Sequence, residues 1–548
     1  MELVGLQHIA SLQAKYNIVH ATTHTDRNKS TERSSSSPSS LAALPHPKKE
    51  WQSTPRSGFC HETKTFHSLR PPTPFPPPHQ PLSTTQFVLS LLHSSTIPTI
   101  TTTYLTIPST AQSLTYSQAI DQIYSLSSSL KNHYKFKNND VAFILCPPSI
   151  HVPILYLSLL FLGVTISPAN PLSSDSELAL QIQLCKPKVA FATSQTAHKL
   201  PSLPLGTILI DSPEFNSLLT HSKPQTTHPQ VEVSQSDVAA ILYSSGTTGR
   251  VKGVALTHRN LIALISGFRH SKAVLDPNQP ELPPVSLFIL PLFHVFGFFM
   301  SINMFSRGGT LVLMERFEFV HMLKYVERYR ITYMPVSPPL IVAFVKEDLT
   351  RKYDLSSLKT LGCGGAPLGK EVADAFKEKF PHVEIVQGYG LTETGGGATR
   401  TIGPEESSHL ASVGRLSENM EAKIVDPETG EALGSWPERG AMVARANCHE
   451  RLWDLCYFDS EGFLYIVDRL KELIKYKAYQ VPPAELEKLL QSIPEIADAA
   501  VIPYPDEEAG QIPMAYVVRK PGSNTTEGQI MDSIAKQVSF WIFVETMV

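Results

Sequence analysis

At 548 residues the chain has room for two or more domains. Its 42% hydrophobic and 18% charged residues exclude a disordered or fibrous chain, and a net charge of −3 gives no global attraction to nucleic acid or anionic membrane. The six cysteines include no CxxC pair, so neither a zinc ribbon nor a thioredoxin-type motif is indicated, and reduced thiols in an intracellular compartment are expected.

Residues 1–82 read as a disordered, low-complexity extension. The first twenty residues lack the basic start and apolar core of a secretory signal. The Ser/Thr-rich stretch to Ser40 carries Glu2, Asp26 and Glu32, which disfavours a transit peptide. "PPTPFPPPHQP" (71–81) has seven prolines in eleven positions and is expected as extended polyproline. Globular patterning begins near Ser83. "TYSQAIDQIYSLSSSLKNH" (115–133) has helical spacing and "VAFILC" (141–146) is a strand run. Two apolar runs, 152–166 and 286–305, resemble membrane spans. The first is short and the second holds Pro291, His294 and Asn303, so both are expected as buried helices and strands, with no stable membrane insertion.

Strands and amphipathic helices alternate to about 440, the pattern of an α/β protein with largely parallel sheets. The expected organisation is a large domain at 83–468 and a smaller α+β domain at 469–548. In the smaller one, a hairpin-like segment precedes a helix after Pro482-Pro483, and two more strands follow.

The densest chemical signal is "ILYSSGTTGRVKG" (241–253). A Walker A loop needs Gly-Lys-Ser/Thr opening into a helix. Here Gly253 follows Lys252 and "VKGVAL" reads as a strand, so the loop joins two strands. Thr257 is the expected N-cap of the next helix. Glycines permit close backbone approach, successive N–H groups form an anion nest, and hydroxyls with one lysine complete a phosphate cradle.

With "PLFHVFG" (291–297), "GCGGAPLG" (362–369), "QGYGLTET" (387–394), Asp454 and "VDRLKELIKYKAYQ" (467–480), the loop resembles the signatures of the adenylate-forming superfamily. Within it the chain is most similar to plant 4-coumarate–CoA ligases and their relatives, over roughly residues 55–535. The resemblance implies a two-step reaction using ATP, Mg²⁺ and CoA. A carboxylate displaces pyrophosphate from ATP to give an acyl-adenylate, and the CoA thiol then displaces AMP. A luciferase-type oxygenase shares these motifs.

The resemblance also implies roles. Ser244, Ser245, Gly246, Thr247, Thr248 and Lys252 would cradle the phosphates, while Gln387, Gly388 and Thr392 would contact AMP, with Thr392 at the α-phosphate. Glu393 would hold Mg²⁺. Asp454 and Arg469 would grip the ribose, Lys471 would mark a hinge, and Lys475 and Gln480 would serve the two half-reactions. Arg316, Lys477 and Ala478 would face CoA. His294, Phe296, Gly365, Gly390, Gly396 and Gly397 would line the acyl pocket. Coumarate ligases tend to be bulkier where this chain has Gly396 and Gly397, and Gly365 is also small, so a wider pocket is expected, taking longer or bulkier acids as well as hydroxycinnamates.

Two departures bear on activity. The 440–455 stretch is short, with Trp453 where the family has glycine, and strain at a tight turn there is expected. After "DSIAKQV" the chain turns to "SFWIFVETMV", where the resemblance implies a Gly-Lys-rich loop with an adenylation lysine. A truncated small domain is therefore expected, with binding but impaired turnover as the alternative. The apolar ending is expected to form no coherent domain edge. Localisation is expected to be cytoplasmic or peroxisomal, although "TMV" is not a peroxisomal tripeptide.

Overall fold

The computed structural model describes residues 56–95, 98–220, 231–244, 251–275, 283–426, 429–434, 440–445, 450–469, 473–476, 479–481, 483–506, 510–535 and 546–547. Among these, the strands form four sheets. One six-stranded sheet has the spatial order Lys252–Thr257, Val238–Ser244, Thr165–Pro168, Val141–Leu145, Val189–Ala192, Thr207–Leu209. Its interior pairs are parallel, and the central strands Val141–Leu145 and Val189–Ala192 are wholly apolar and almost entirely buried, as strands covered on both faces are. A nine-stranded sheet runs from Arg415–Leu416 through Thr399–Arg400, Glu384–Tyr389 and Thr360–Cys363 to Gln112–Thr115.

Helices Thr84–His93, Tyr116–Asn132, His151–Phe161, His258–Leu275 and Val295–Ser306 share one apolar core with both sheets, giving a layered α/β body. Helix starts follow local chemistry. Ser83 with Gln86, and Thr115 with Gln118, form capping boxes. Thr257 Oγ1 accepts from Asn260 N–H at 3.2 Å, as expected of an N-cap. Both membrane-like runs fold into buried strands and helices, and no described helix is long and apolar enough to cross a membrane.

A third, antiparallel sheet packs around Phe59, Phe66, Ile424 and Phe458. Phe59–Cys60 forms one edge of it and Thr65–His67 the strand next to that edge, so the expected disordered extension is corrected over 56–82. Polyproline leaves its carbonyls unpaired, and the large domain uses them. Gln235 Nε2 donates to Pro77 O (2.7 Å) and Gln80 O (2.9 Å). Arg259 donates to Pro76 O and stacks on Phe75 at 4.7 Å. Arg70 reaches Glu406 at 2.8 Å and Arg400 O at 2.7 Å. Residues 1–55 lie outside the described residues.

The fourth sheet belongs to the small domain: Ile474–Tyr476, Tyr479–Val481, Ile496–Asp506 and Gly510–Arg519, covered by helices Pro483–Ser492 and Glu527–Ala535. Arg469 ends the third sheet's last strand, and the small sheet opens five residues later at Ile474. Thr546–Met547 pair in parallel with Met514–Ala515, so part of the ending expected to form no domain edge extends this sheet. Trp453 lies inside strand Glu450–Phe458, which corrects the tight turn expected there.

Candidate functional site

The phosphate-loop hairpin closes where expected. Ser244 ends one strand, Lys252 opens the next, and the two are directly opposed. Ser245, Gly246, Thr247 and Thr248 lie outside the described residues. Ser244 Oγ donates to Glu393 Oε1 at 3.0 Å, fastening the hairpin mouth to the short 3₁₀ turn Thr392–Thr394. That turn is fixed locally by Leu391 N–H on Thr394 Oγ1 at 3.0 Å, and Thr392 is buried at its start. The chain then reverses through Gly395 at φ +74° and Gly396 at φ +122°, a region that strongly favours glycine. Gly390 passes so close that a Cβ there would fall 1.8 Å from Gly396 O.

Strand Glu384–Tyr389 carries the expected AMP contacts. Gln387 is buried, and its Nε2 donates to Leu410 O at 2.5 Å; Gly388 pairs with Arg400. The next residue, Tyr389, donates its hydroxyl to Asp454 Oδ2 at 2.5 Å. Tyr389 was not among the residues expected to act; its place directly before the Gly-Leu-Thr-Glu turn of "QGYGLTET" was the available signal. Asp454 is buried, and its strand neighbour across the sheet is Arg469, so the two expected ribose residues are brought together.

On the small domain, Lys475 and Gln480 are directly opposed across a hairpin. Lys471, Lys477 and Ala478 lie outside the described residues. Lys346, on the large domain, donates its ammonium to Ile496 O (2.6 Å) and Ala497 O (2.9 Å), joining the two domains. Burial lowers its pKa, with Lys520 adding to the shift and Asp498 opposing it. Arg316 stands exposed after strand Thr310–Leu313, away from any ion pair among the described residues.

Of the residues expected to line the acyl pocket, His294 and Phe296 lie at the start of helix Val295–Ser306 and Gly396 lies against it. His294 caps this helix, its Nδ1 accepting from Phe296 N–H at 3.3 Å. His294 keeps some exposure, and partial desolvation holds its pKa below the usual imidazole value. A Cβ at Gly364 would meet the Phe296 ring at 3.6 Å, and one at Gly396 would meet Val295 Cγ2 at 3.6 Å. At Gly397 it would meet Phe268 at 3.7 Å, and at Gly365, with φ +89°, it would meet nothing within 4 Å. The glycine turn thus packs against the helix with room for little more than a methyl group at Gly396 and Gly397. Nearby, buried Arg400 pairs with Glu418 at 2.6 Å and stacks over Phe268 at 4.5 Å.

The sequence profile of the AMP-binding enzyme family matches residues 99–449, and that of the AMP-binding enzyme C-terminal domain matches residues 485–548. The chain belongs to the AMP-binding enzyme family. This AMP-binding enzyme is 55% identical over 512 residues to 4-coumarate–CoA ligase-like 9 of Arabidopsis thaliana, covering 88% of the chain and 91% of that relative. It is 40% identical over 518 residues to peroxisomal OPC-8:0-CoA ligase 1 of Arabidopsis thaliana, covering 88% and 92%. Among solved structures it superposes on the anthranilate CoA ligase AuaEII in complex with anthranoyl-AMP, with TM-score 0.73, 20% identity and coverage of 85% and 93%. It also superposes on ATP-bound MatB from Rhodopseudomonas palustris, with TM-score 0.72, 21% identity and coverage of 85% and 95%. These likenesses establish the adenylate-forming fold: a large α/β domain and a small C-terminal one.

Proposed function

We propose that this AMP-binding enzyme is an ATP-dependent carboxylic acid–CoA ligase. The observation that carries the reading is the joined mouth of the phosphate hairpin, where Ser244 opposes Lys252 and holds Glu393. Hydroxyl, ammonium and carboxylate converge at the end of a glycine-rich loop, which suits a triphosphate with its counter-ion.

In the first step an acid carboxylate oxygen attacks the ATP α-phosphorus and pyrophosphate leaves. Lys252 and the hairpin hydroxyls hold the departing charge, and Thr392 faces the α-phosphate. Asp454, positioned by Tyr389, and Arg469 hold the ribose. In the second step the CoA thiolate attacks the acyl carbonyl and AMP leaves, with Lys475 and Gln480 serving the half-reactions and Arg316 meeting CoA. Mg²⁺ fits Glu393: one carboxylate completed by substrate phosphates is a common magnesium site, and the described residues hold no acidic or His/Cys cluster that would capture another metal. When bound it neutralises phosphate charge.

The absence of side chains at Gly365, Gly396 and Gly397 favours bulkier or fatty acids over hydroxycinnamates alone. The test is thioester formation from ATP, Mg²⁺ and CoA with a panel of cinnamic, aryl-alkanoic and fatty acids, read by mass. Acyl-CoA and AMP from bulky acids support the reading, whereas reaction with small cinnamates alone overturns the wide pocket. Nucleotide binding without any thioester would instead support a binding protein of impaired turnover.

A further inference from the structure

Arg70 lies ahead of the segment that matches the family profile, which begins at residue 99. Its side chain forks between two acceptors. Nη1 and Nη2 donate to Glu406 Oε1 and Oε2 at 3.3 and 2.8 Å, and Nη2 also donates to Arg400 O at 2.7 Å. The pair is nearly buried, with side-chain exposures of 10% for Arg70 and 12% for Glu406. Glu406 also accepts from Ile402 N–H at 2.8 Å, so it grips the chain just beyond Arg400.

What these bonds join matters more than their number. Arg70 follows strand Thr65–His67, which belongs to the same sheet as Asp454 and Arg469. Arg400 belongs to the nine-stranded sheet, where it pairs with Gly388, and Thr401 N–H donates to Gln387 O at 2.8 Å. The expected ribose residues thus stand on one sheet and the expected AMP strand on the other. The Tyr389–Asp454 bond crosses that boundary, and Arg70 crosses it a second time. Ser68 adds to the join: its N–H donates to Met420 O and its Oγ to Leu416 O, both at 3.1 Å. Strand Thr399–Arg400 is two residues long, so its own ladder bonds are few and its position depends on the side chains that hold it.

We propose that Arg70 is a positioning residue of the nucleotide site. It pins the sheet that carries Asp454 and Arg469 to the sheet that carries Gln387, Gly388 and Tyr389, and so sets the affinity for ATP. This rests on the ligase reading above. A planar guanidinium holds a carboxylate and a carbonyl at once, whereas an ammonium acts as a single point charge.

The experiment measures the Kd for ATP by calorimetry, together with Tm, on the wild-type chain, Arg70→Gln, Arg70→Lys and Arg259→Gln. Arg259, at the start of helix His258–Leu275, holds the same N-terminal segment through Pro76 O, so its variant loosens that segment without touching Glu406 or Arg400. Arg70→Gln should raise the ATP Kd by about tenfold or more, because bonds to a charged group are lost. Arg70→Lys should fall between it and the wild type, and it carries the test should the Gln variant not fold. Arg259→Gln should lower Tm and leave the ATP Kd unchanged. In turnover, Arg70→Gln should raise the KM for ATP and leave the KM for the acid near its wild-type value. An unchanged ATP Kd in both Arg70 variants, or an equal rise in Arg259→Gln, overturns the proposal. If no acid yields thioester, the ligase reading fails, while ATP affinity, read without turnover, still decides the role of Arg70. A wild-type chain that binds no ATP overturns both.

Discussion

Replacing Tyr389 by Phe removes one hydroxyl and leaves the ring. In the folded chain that hydroxyl donates to Asp454 Oδ2 at 2.5 Å, and the carboxylate is buried at 7% exposure. A hydrogen bond to a charged group is worth about 1.5–3 kcal/mol, and every 1.4 kcal/mol is tenfold in affinity. If Asp454 grips the ATP ribose, Tyr389→Phe should raise the KM for ATP by about 10- to 100-fold, with a smaller effect on the acid KM. Equilibrium unfolding should show a loss of similar origin, because Asp454 keeps one donor fewer. The double variant with Asp454→Asn isolates the pair: the two losses should be clearly non-additive. An unchanged ATP KM in Tyr389→Phe, or simple additivity in the double variant, would refute the argument.

Gly397→Val adds a side chain against Phe268 and Leu264 at a position free of positive φ, so it fills space beside the glycine turn without backbone strain. It should cut kcat/KM for bulky acids by about tenfold or more relative to hydroxycinnamates, since single methylenes in apolar pockets discriminate by that order. His258 accepts at Nδ1 from Thr84 N–H at 3.1 Å, and burial pushes its pKa down to about 4. A depressed imidazole pKa means that the folded state binds fewer protons. Its stabilisation is therefore full above the unfolded value near 6.5 and is lost as pH falls toward 4, by up to about 3 kcal/mol. His258→Gln should flatten the pH dependence of Tm in that window. Lys346→Met removes both bonds to Ile496 O and Ala497 O. It should change the ratio of adenylation to thioester formation, read separately with pyrophosphate release and with preformed acyl-adenylate; equal slowing of both would reduce Lys346 to a stability contact.

The fold was legible where backbone pattern and turn residues coincide. The strand–loop–strand course around Lys252, the Thr257 cap and the buried fate of both apolar runs all follow from periodicity and turn residues. The segment before Ser83 was misread for a physical reason. Proline content signals a chain that makes no hydrogen bonds of its own, yet its free carbonyls are what Gln235 and Arg259 bind, and those partners are more than 150 residues away. Trp453 looked like a strained turn because a motif was missing, whereas its segment pairs as a strand with Gly440–Arg445 on one side and Leu464–Arg469 on the other, partners that "ERLWDLCYF" itself does not name. The Tyr389–Asp454 bond and the fork of Arg70 on Glu406 and Arg400 O are tertiary facts: only the packing of distant elements reveals them.

The central claim is that this chain activates a carboxylate through its phosphate hairpin. Carboxylate-dependent exchange of labelled pyrophosphate into ATP tests it most directly, with Glu393→Gln as comparator. The account predicts exchange that requires an acid and collapses by about 100-fold or more in the variant, the loss typical of removing a charge-stabilising group. Exchange that needs no acid, or hydrolysis of ATP to ADP with an acid present, would contradict it.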